Sequence, residues 1–192
     1  MSLFDLSDRV AIVTGGNGGI GLGMAEGLAS AGAIVVLAGR NAKKGEAAVR
    51  RIAQAGGEAE FSEVDVTSET SCRALIDKAA ARHGRLDILV NNAGINIRKS
   101  PDILSAAEWH TVIDTNLTSA FMCTHAAYPH MKKIGRGKII NIGSMMSIFG
   151  AGFAPAYAAS KGGIVQCAPA RLPGRRRTSR SMRCCRAGST PI

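Results

Sequence analysis

The chain has 192 residues, 46% apolar and 20% charged, the proportions of an ordinary globular protein with length for one domain and a sizeable core. Its net charge of +10 is unevenly spread. From Cys167 onward stand seven arginines with no lysine and no acid, and without them 17 basic residues face 14 acidic ones, so the basic character belongs to the tail and does not mark the body as a nucleic-acid binder.

The start, Met1-Ser2-Leu3-Phe4-Asp5, has no basic region followed by an apolar run, so a cytoplasmic location is expected. Between Arg9 and Arg40 the only charge is Glu26, which raises the question of a membrane span. Gly15, Gly16, Gly18, Gly19 and Gly21 crowd that stretch with Asn17 among them, and a strand, a loop and a helix explain it better. The five cysteines, Cys72, Cys123, Cys167, Cys184 and Cys185, are odd in number, and no spacing matches a zinc site. No metal is expected, and the two body cysteines read as small buried residues of a reducing compartment.

In chain order, Arg9 to Thr14 is a buried strand that runs into the glycine cluster. Gly19 to Ala31 is a helix with apolar positions at Ile20, Met24 and Leu28, stopped by Gly32. A strand over Ala33 to Ala38 follows, then a helix over Ala42 to Ala55 ended by Gly56-Gly57, a short strand over Phe61 to Val64, and a helix over Ser68 to His83 ended by Gly84. Leu86 to Val90 is a fourth strand. Helices cover Ser105 to Asn116 and onward to Lys133, Lys138 to Ile142 is a fifth strand, and Pro155 to Gln166 begins another helix. This alternation predicts an α/β fold: a doubly wound, Rossmann-like parallel sheet with helices on both faces.

The loop Thr14-Gly15-Gly16-Asn17-Gly18-Gly19-Ile20-Gly21 lies between a strand and a helix. Glycines there let the backbone approach a pyrophosphate, and the helix N-terminus offers free N–H groups, so the segment predicts dinucleotide binding. Its T-G-x-x-x-G-x-G spacing resembles the short-chain dehydrogenase/reductase family. Asn91-Asn92-Ala93-Gly94 after the fourth strand, Ser144 after the fifth and Tyr157-x-x-x-Lys161 match the same family in order. The resemblance covers residues from about 6 to 166. It implies an oxidoreductase that moves a hydride between NAD(P) and a secondary alcohol or ketone, and a homo-oligomer. Gly15, Asn17, Gly19, Ile20, Gly21, Asn92, Ala93 and Gly94 are implied to hold the cofactor.

Tyr157 and Lys161, four apart, share a helix face. A tyrosine with a pKa of about 10 is a poor base at neutral pH, and a nearby ammonium and an oxidised nicotinamide favour its phenolate. Tyr157 is then expected to exchange a proton with the substrate oxygen, with Ser144 hydrogen-bonded to the same oxygen. The resemblance implies that Lys161 also binds the nicotinamide ribose and that Asn116 holds a water in a proton relay, whereas an asparagine there can also be a helix cap. At the end of the second strand, where an acid usually selects NAD, stands Arg40; an arginine can pair with a 2′-phosphate, so NADP(H) is favoured and NAD is the alternative. Asp65, in Asp65-Val66-Thr67, matches the family aspartate near the adenine. Ile95-Asn96-Ile97-Arg98-Lys99 is similar to the same segment of tropinone-reductase-like and sugar-acid dehydrogenases, and lies at the expected pocket rim; Arg98 and Lys99 can attract an acidic substrate or be a solvated basic pair.

After Gln166 the resemblance stops. Pro169 and Pro173 break the helix under way, and the family's V-N-x-x-x-P-G strand is missing. With the reading frame moved one base, Thr178 to Thr190 can encode D-I-Q-V-N-A-V-L-P-G-W-I-D, which restores that pattern. The expectation is therefore a dehydrogenase domain over 1–166, truncated before its last strands, and an out-of-frame Arg-rich tail over 167–192 without a native fold. A basic tail that binds nucleic acid is the weaker alternative, since it lacks aromatic residues for stacking. A non-catalytic dinucleotide-binding remnant is the alternative to an enzyme.

Overall fold

The computed structural model describes residues 4–167 and 182–184. Its centre is a sheet of six parallel strands: β1 (Val10–Thr14), β2 (Ile34–Gly39), β3 (Glu58–Glu63), β4 (Ile88–Asn91), β5 (Lys138–Ile142) and β6 (Met182–Cys184). Their order is β3-β2-β1-β4-β5-β6. The helices are α1 (Gly19–Ser30), α2 (Ala42–Gln54), α3 (Glu69–His83), α4 (Ala106–Ile113), α5 (Ser119–Lys133), the short α6 (Met146–Phe149) and α7 (Pro155–Gln166). The expected doubly wound sheet is observed. Chain order reverses between β1 and β4, and such a switch point opens a crevice at the carboxyl ends of the strands.

Both faces of the sheet are covered, which is why β1 is buried at every position. Val10 and Ile12 point to one core with Cys72, Leu75, Ile76, Cys123, Ala127 and Met131 of α3 and α5. Ala11 and Val13 point to the other, with Ala25 and Ala29 of α1 and Ala48 and Ile52 of α2. Side chains thus alternate between two cores along one strand.

Helix starts follow their caps. Asn41 accepts from Lys44 N, Ser68 from Ser71 N, and Ser105 and Glu108 form a reciprocal capping box. Gly84, at φ +70, closes α3 in the left-handed region. Three details differ from the sequence pattern. The third strand begins at Glu58, since Ile34 of β2 pairs there and carries the ladder past its apolar part. The fully buried stripe of α1 is Gly21, Ala25 and Ala29, small residues that let the helix sit close; Met24 and Leu28 pack partly buried against the same core, and Ile20 is 39% exposed. The edge of β5, expected to stand open, carries β6, with Ile140 opposite Met182 and Ile142 opposite Cys184. A parallel ladder is built from backbone N–H and C=O groups, so three non-proline residues form it without an alternating apolar pattern.

Candidate active site

The carboxyl ends of β1, β4 and β5 open into one cleft of about 830 Å³. One wall is the loop from β1 to α1. Gly15 and Gly19 have φ of +65 and +53, which side chains rarely adopt. At Gly21 a Cβ would lie 2.2 Å from Gly15 O, so the first turn of α1 folds onto the loop only without a side chain. At Gly18 and Gly19 an added Cβ meets nothing within 4 Å. Helix α1 starts there with no side-chain cap and no acid in its first turn, leaving its N–H groups for an anion.

Asn92 and Thr14 tie this wall to the next. Thr14 Oγ1 accepts from Asn92 N at 3.0 Å and Ala93 N at 3.1 Å. The Asn92 side-chain amide donates to Thr14 O at 3.0 Å and Gly15 O at 3.3 Å. The Asn-Asn-Ala-Gly turn and the glycine loop therefore form one hydrogen-bonded unit across the switch point.

The far wall holds Ser144, Tyr157 and Lys161. Ser144, just past β5, is oriented by its neighbours: its hydroxyl accepts from Met146 N at 3.2 Å and its N–H donates to Ser147 Oγ at 3.0 Å. Tyr157 and Lys161 lie one turn apart on α7. Lys161 is 4% exposed; its Nζ donates to Ile142 O at 2.7 Å and lies 5.8 Å from the centroid of the Tyr157 ring. Burial lowers the Lys161 ammonium to about 8, so it is charged at pH 7 and loses its proton in the mildly alkaline range.

Asn116 is no helix cap. It sits in a π-helical turn, Asp114–Thr118, between α4 and α5. Its side chain accepts from Ile95 N at 2.8 Å and donates to Ile95 O at 2.9 Å, which pins the segment after Gly94. It also donates to Ser160 Oγ at 3.0 Å, and Ser160 donates to Tyr157 O at 2.8 Å. The π-turn is thereby connected to the backbone of the Tyr157 helix through Ser160, a fully buried residue that the sequence reading passed over.

Of the expected cofactor residues, Gly15, Asn17, Gly19, Ile20, Gly21, Asn92, Ala93 and Gly94 line the cleft. Arg40, Asp65 and Val66 stand outside its lining. Arg40 is exposed and lies near enough to Asp65 to act on its charge; Thr67, through its N–H and hydroxyl, then burial in the opposite sense, then Arg40 together leave the Asp65 carboxyl below its usual range. The basic residue at the rim near the end of β2 is Lys44, in the first turn of α2. Its position three residues after the Asn41 cap is the signal that could have found it. Both body cysteines are buried, and among the described residues no helix is long and apolar enough to cross a membrane.

The sheet order and the glycine loop at the switch point define a Rossmann-like α/β fold, with Ser144, Tyr157 and Lys161 facing that loop across one cleft. The sequence profile of the short chain dehydrogenases matches residues 9–170, and the chain belongs to that family. It is 40% identical over 159 residues to a cyclopentanol dehydrogenase of Comamonas sp. (strain NCIMB 9872), covering 83% of this chain and 64% of the relative. It is 41% identical over 159 residues to a cis-4-hydroxycyclohexanecarboxylate dehydrogenase of Sinomonas cyclohexanicum, covering 82% and 64%. The crystal structure of a metagenomic short-chain oxidoreductase in complex with NADP superposes with a TM-score of 0.81 at 40% identity, covering 84% of this chain and 73% of that one. The chain spans about two thirds of the length of these proteins.

Proposed function

We propose that the chain carries the cofactor-binding and catalytic part of an NAD(P)-dependent dehydrogenase acting between a secondary alcohol and a ketone, with NADP(H) favoured. The observation that carries this is the shared cleft, with an uncapped, acid-free helix start on one side and Ser144, Tyr157 and Lys161 on the other. The missing side chain at Gly21 and the open backbone at Gly18 and Gly19 fit a dinucleotide diphosphate on the first wall. The nicotinamide of such a cofactor, when bound, would supply the hydride donor or acceptor. Tyr157 exchanges the proton at the substrate oxygen, because its hydroxyl has no hydrogen-bond partner among the described residues and Lys161 places a cation beside its ring. Ser144 donates to the same oxygen and fixes the carbinol carbon. Asn116 holds the backbone of Ile95, the residue after Gly94.

Tyr157→Phe is expected to lower turnover of a ring alcohol such as cyclopentanol by at least about a hundredfold, the low end of general acid–base contributions, with NADPH affinity within twofold. Turnover within tenfold of the parent chain assigns the proton to another group. NADPH binding by the parent chain with no turnover of any secondary alcohol favours the remnant reading.

A further inference from the structure

The cleft has charge of one sign only. Its lining contains Lys44, Arg98 and Lys161 and no aspartate or glutamate. Lys44 stands at the glycine-loop end and Lys161 is committed to Ile142 O. Arg98 stands with Asn96 and Ile95 after the Asn-Asn-Ala-Gly turn, among the lining residues that include Ser144 and Tyr157.

The adjacent basic residues Arg98 and Lys99 separate sharply. Lys99 is bound to Glu108, which also closes the capping box of α4 with Ser105. Lys99 first, then the Ser105 backbone and hydroxyl, hold the Glu108 carboxyl down at about 2, so this pair stays ionised through the neutral range. The Arg98 guanidinium has no hydrogen bond and no carboxylate within 4 Å among the described residues. Its Cζ lies over the Phe153 ring, 5.4 Å from the centroid. Stacking on an aromatic face orients a guanidinium and leaves its in-plane N–H donors free. An oriented, unpaired fork lining the same cleft as the candidate proton-transfer residues suits a planar anion.

We propose that Arg98 receives a carboxylate of the substrate, so that the substrate class is hydroxy acids or keto acids whose acid group is remote from the reacting carbinol. This rests on the dehydrogenase reading above. It also separates two kinds of similar protein, one named for a plain ring alcohol and one for a ring alcohol bearing a carboxylate.

The test uses the full chain with NADPH bound, in which an alcohol binds without reacting. Cyclohexanol and cis-4-hydroxycyclohexanecarboxylate are titrated against NADPH fluorescence. The carboxylate is expected to bind about tenfold more tightly than cyclohexanol, the size of one charge-assisted hydrogen bond. In Arg98→Met, which keeps an unbranched apolar stem, that preference falls to within twofold; in Arg98→Lys part of it returns, and NADPH affinity is unchanged in both. Equal binding of the two probes by the parent chain, or a preference that survives in Arg98→Met, overturns the inference and leaves the dehydrogenase reading standing. Loss of NADPH affinity in Arg98→Met assigns the guanidinium to a cofactor phosphate and overturns it too. Failure to bind NADPH both in the parent chain and in a chain with one base restored near codon 167 refutes the dehydrogenase reading itself, and the inference falls with it.

Discussion

Gly21→Ala tests whether the cleft depends on the close seat of α1. The new Cβ would stand 2.2 Å from Gly15 O and 2.5 Å from Asn92 Nδ2. Neither group is free to retreat, since Gly15 N is bonded to Ala38 O at 2.7 Å and Asn92 Nδ2 to Thr14 O at 3.0 Å. Overpacking of this kind costs about 1–3 kcal/mol, and disturbing the Asn92 bond adds about 1 kcal/mol. Replacing a helical glycine by alanine returns about 0.5–1 kcal/mol. The net loss is about 1–3.5 kcal/mol by these magnitudes. The control lies on the same helix: at Gly23 and Gly27 a Cβ meets nothing within 4 Å, so alanine there should stabilise by about 0.5–1 kcal/mol. Thermal melts followed by circular dichroism should separate Gly21→Ala from Gly23→Ala by roughly 3–18 °C, at about 2–4 °C per kcal/mol for a domain of this size. NADPH affinity should fall only in the first. If Gly21→Ala melts level with Gly23→Ala, the argument from close approach is wrong.

Asp87 sets an acid limit on stability. Its buried carboxylate accepts from Arg85 Nε and Nη2, both at 2.7 Å, and from Val10 N at 3.1 Å. Burial alone raises its pKa; the Arg85 hydrogen bond, the Val10 amide and the charges of Arg85 and Arg136 outweigh it and leave the carboxyl below its usual range. A depressed folded pKa means that its stabilisation is complete above the ordinary carboxylate value of about 4 and is lost as pH falls through the folded value. Asp87→Asn should therefore cost about 2–3 kcal/mol at pH 7, less than a fully dry pair because its arginines are partly exposed, and the gap should narrow at low pH; urea midpoints equal at pH 7 would refute this. Arg40→Ala should weaken NADPH about tenfold, as loss of a charge-assisted bond does, and leave NADH within twofold; equal losses in a direct titration would remove Arg40 from 2′-phosphate recognition.

The parts legible in the sequence were those with a local signature. A strand buried on both faces reads as a continuous apolar run, as Val10 to Val13 does, and caps such as Asn41, Ser68 and Ser105 announce helix starts. Glycine spacing located the loop because φ above zero and close approach demand that residue. What stayed hidden depends on contacts between distant segments. The fully buried stripe of α1 was not visible because the sheet takes its smallest residues, Gly21, Ala25 and Ala29, closest, with Met24 and Leu28 packed beside them. The π-turn at Asp114–Thr118 has no composition of its own, so the hold of Asn116 on Ile95 and on Ser160, 44 residues away, was not visible. Arg98 and Lys99 read as one basic pair until Glu108, nine residues on, was seen to take the lysine alone.

The last prediction concerns residues 167–192, whose frame the sequence calls into question. Near the Ser144 and Tyr157 end of the cleft, Met145, Ile148, Phe149 and Phe153 are exposed apolar side chains within nine residues. Burying such a side chain fully is worth about 1.5–3 kcal/mol, so covering even two of them is comparable with a sizeable part of a domain's net stability of about 5–15 kcal/mol. The shifted frame can encode V-N-A-V-L-P-G-W-I in place of Ser181 to Ser189, a segment apolar enough to do so, whereas the frame as written supplies Arg183 and Arg186 there. A chain with one base restored near codon 167 is therefore expected to melt at a higher temperature, bind less of a dye specific for exposed apolar surface, and turn over alcohol faster than the 192-residue chain. The three-residue β6 of the written frame can satisfy the backbone of β5 but carries no such apolar run. If the 192-residue chain gives a cooperative melt, dye binding and dehydrogenase activity matching those of the restored one, the tail is native and the frameshift is wrong.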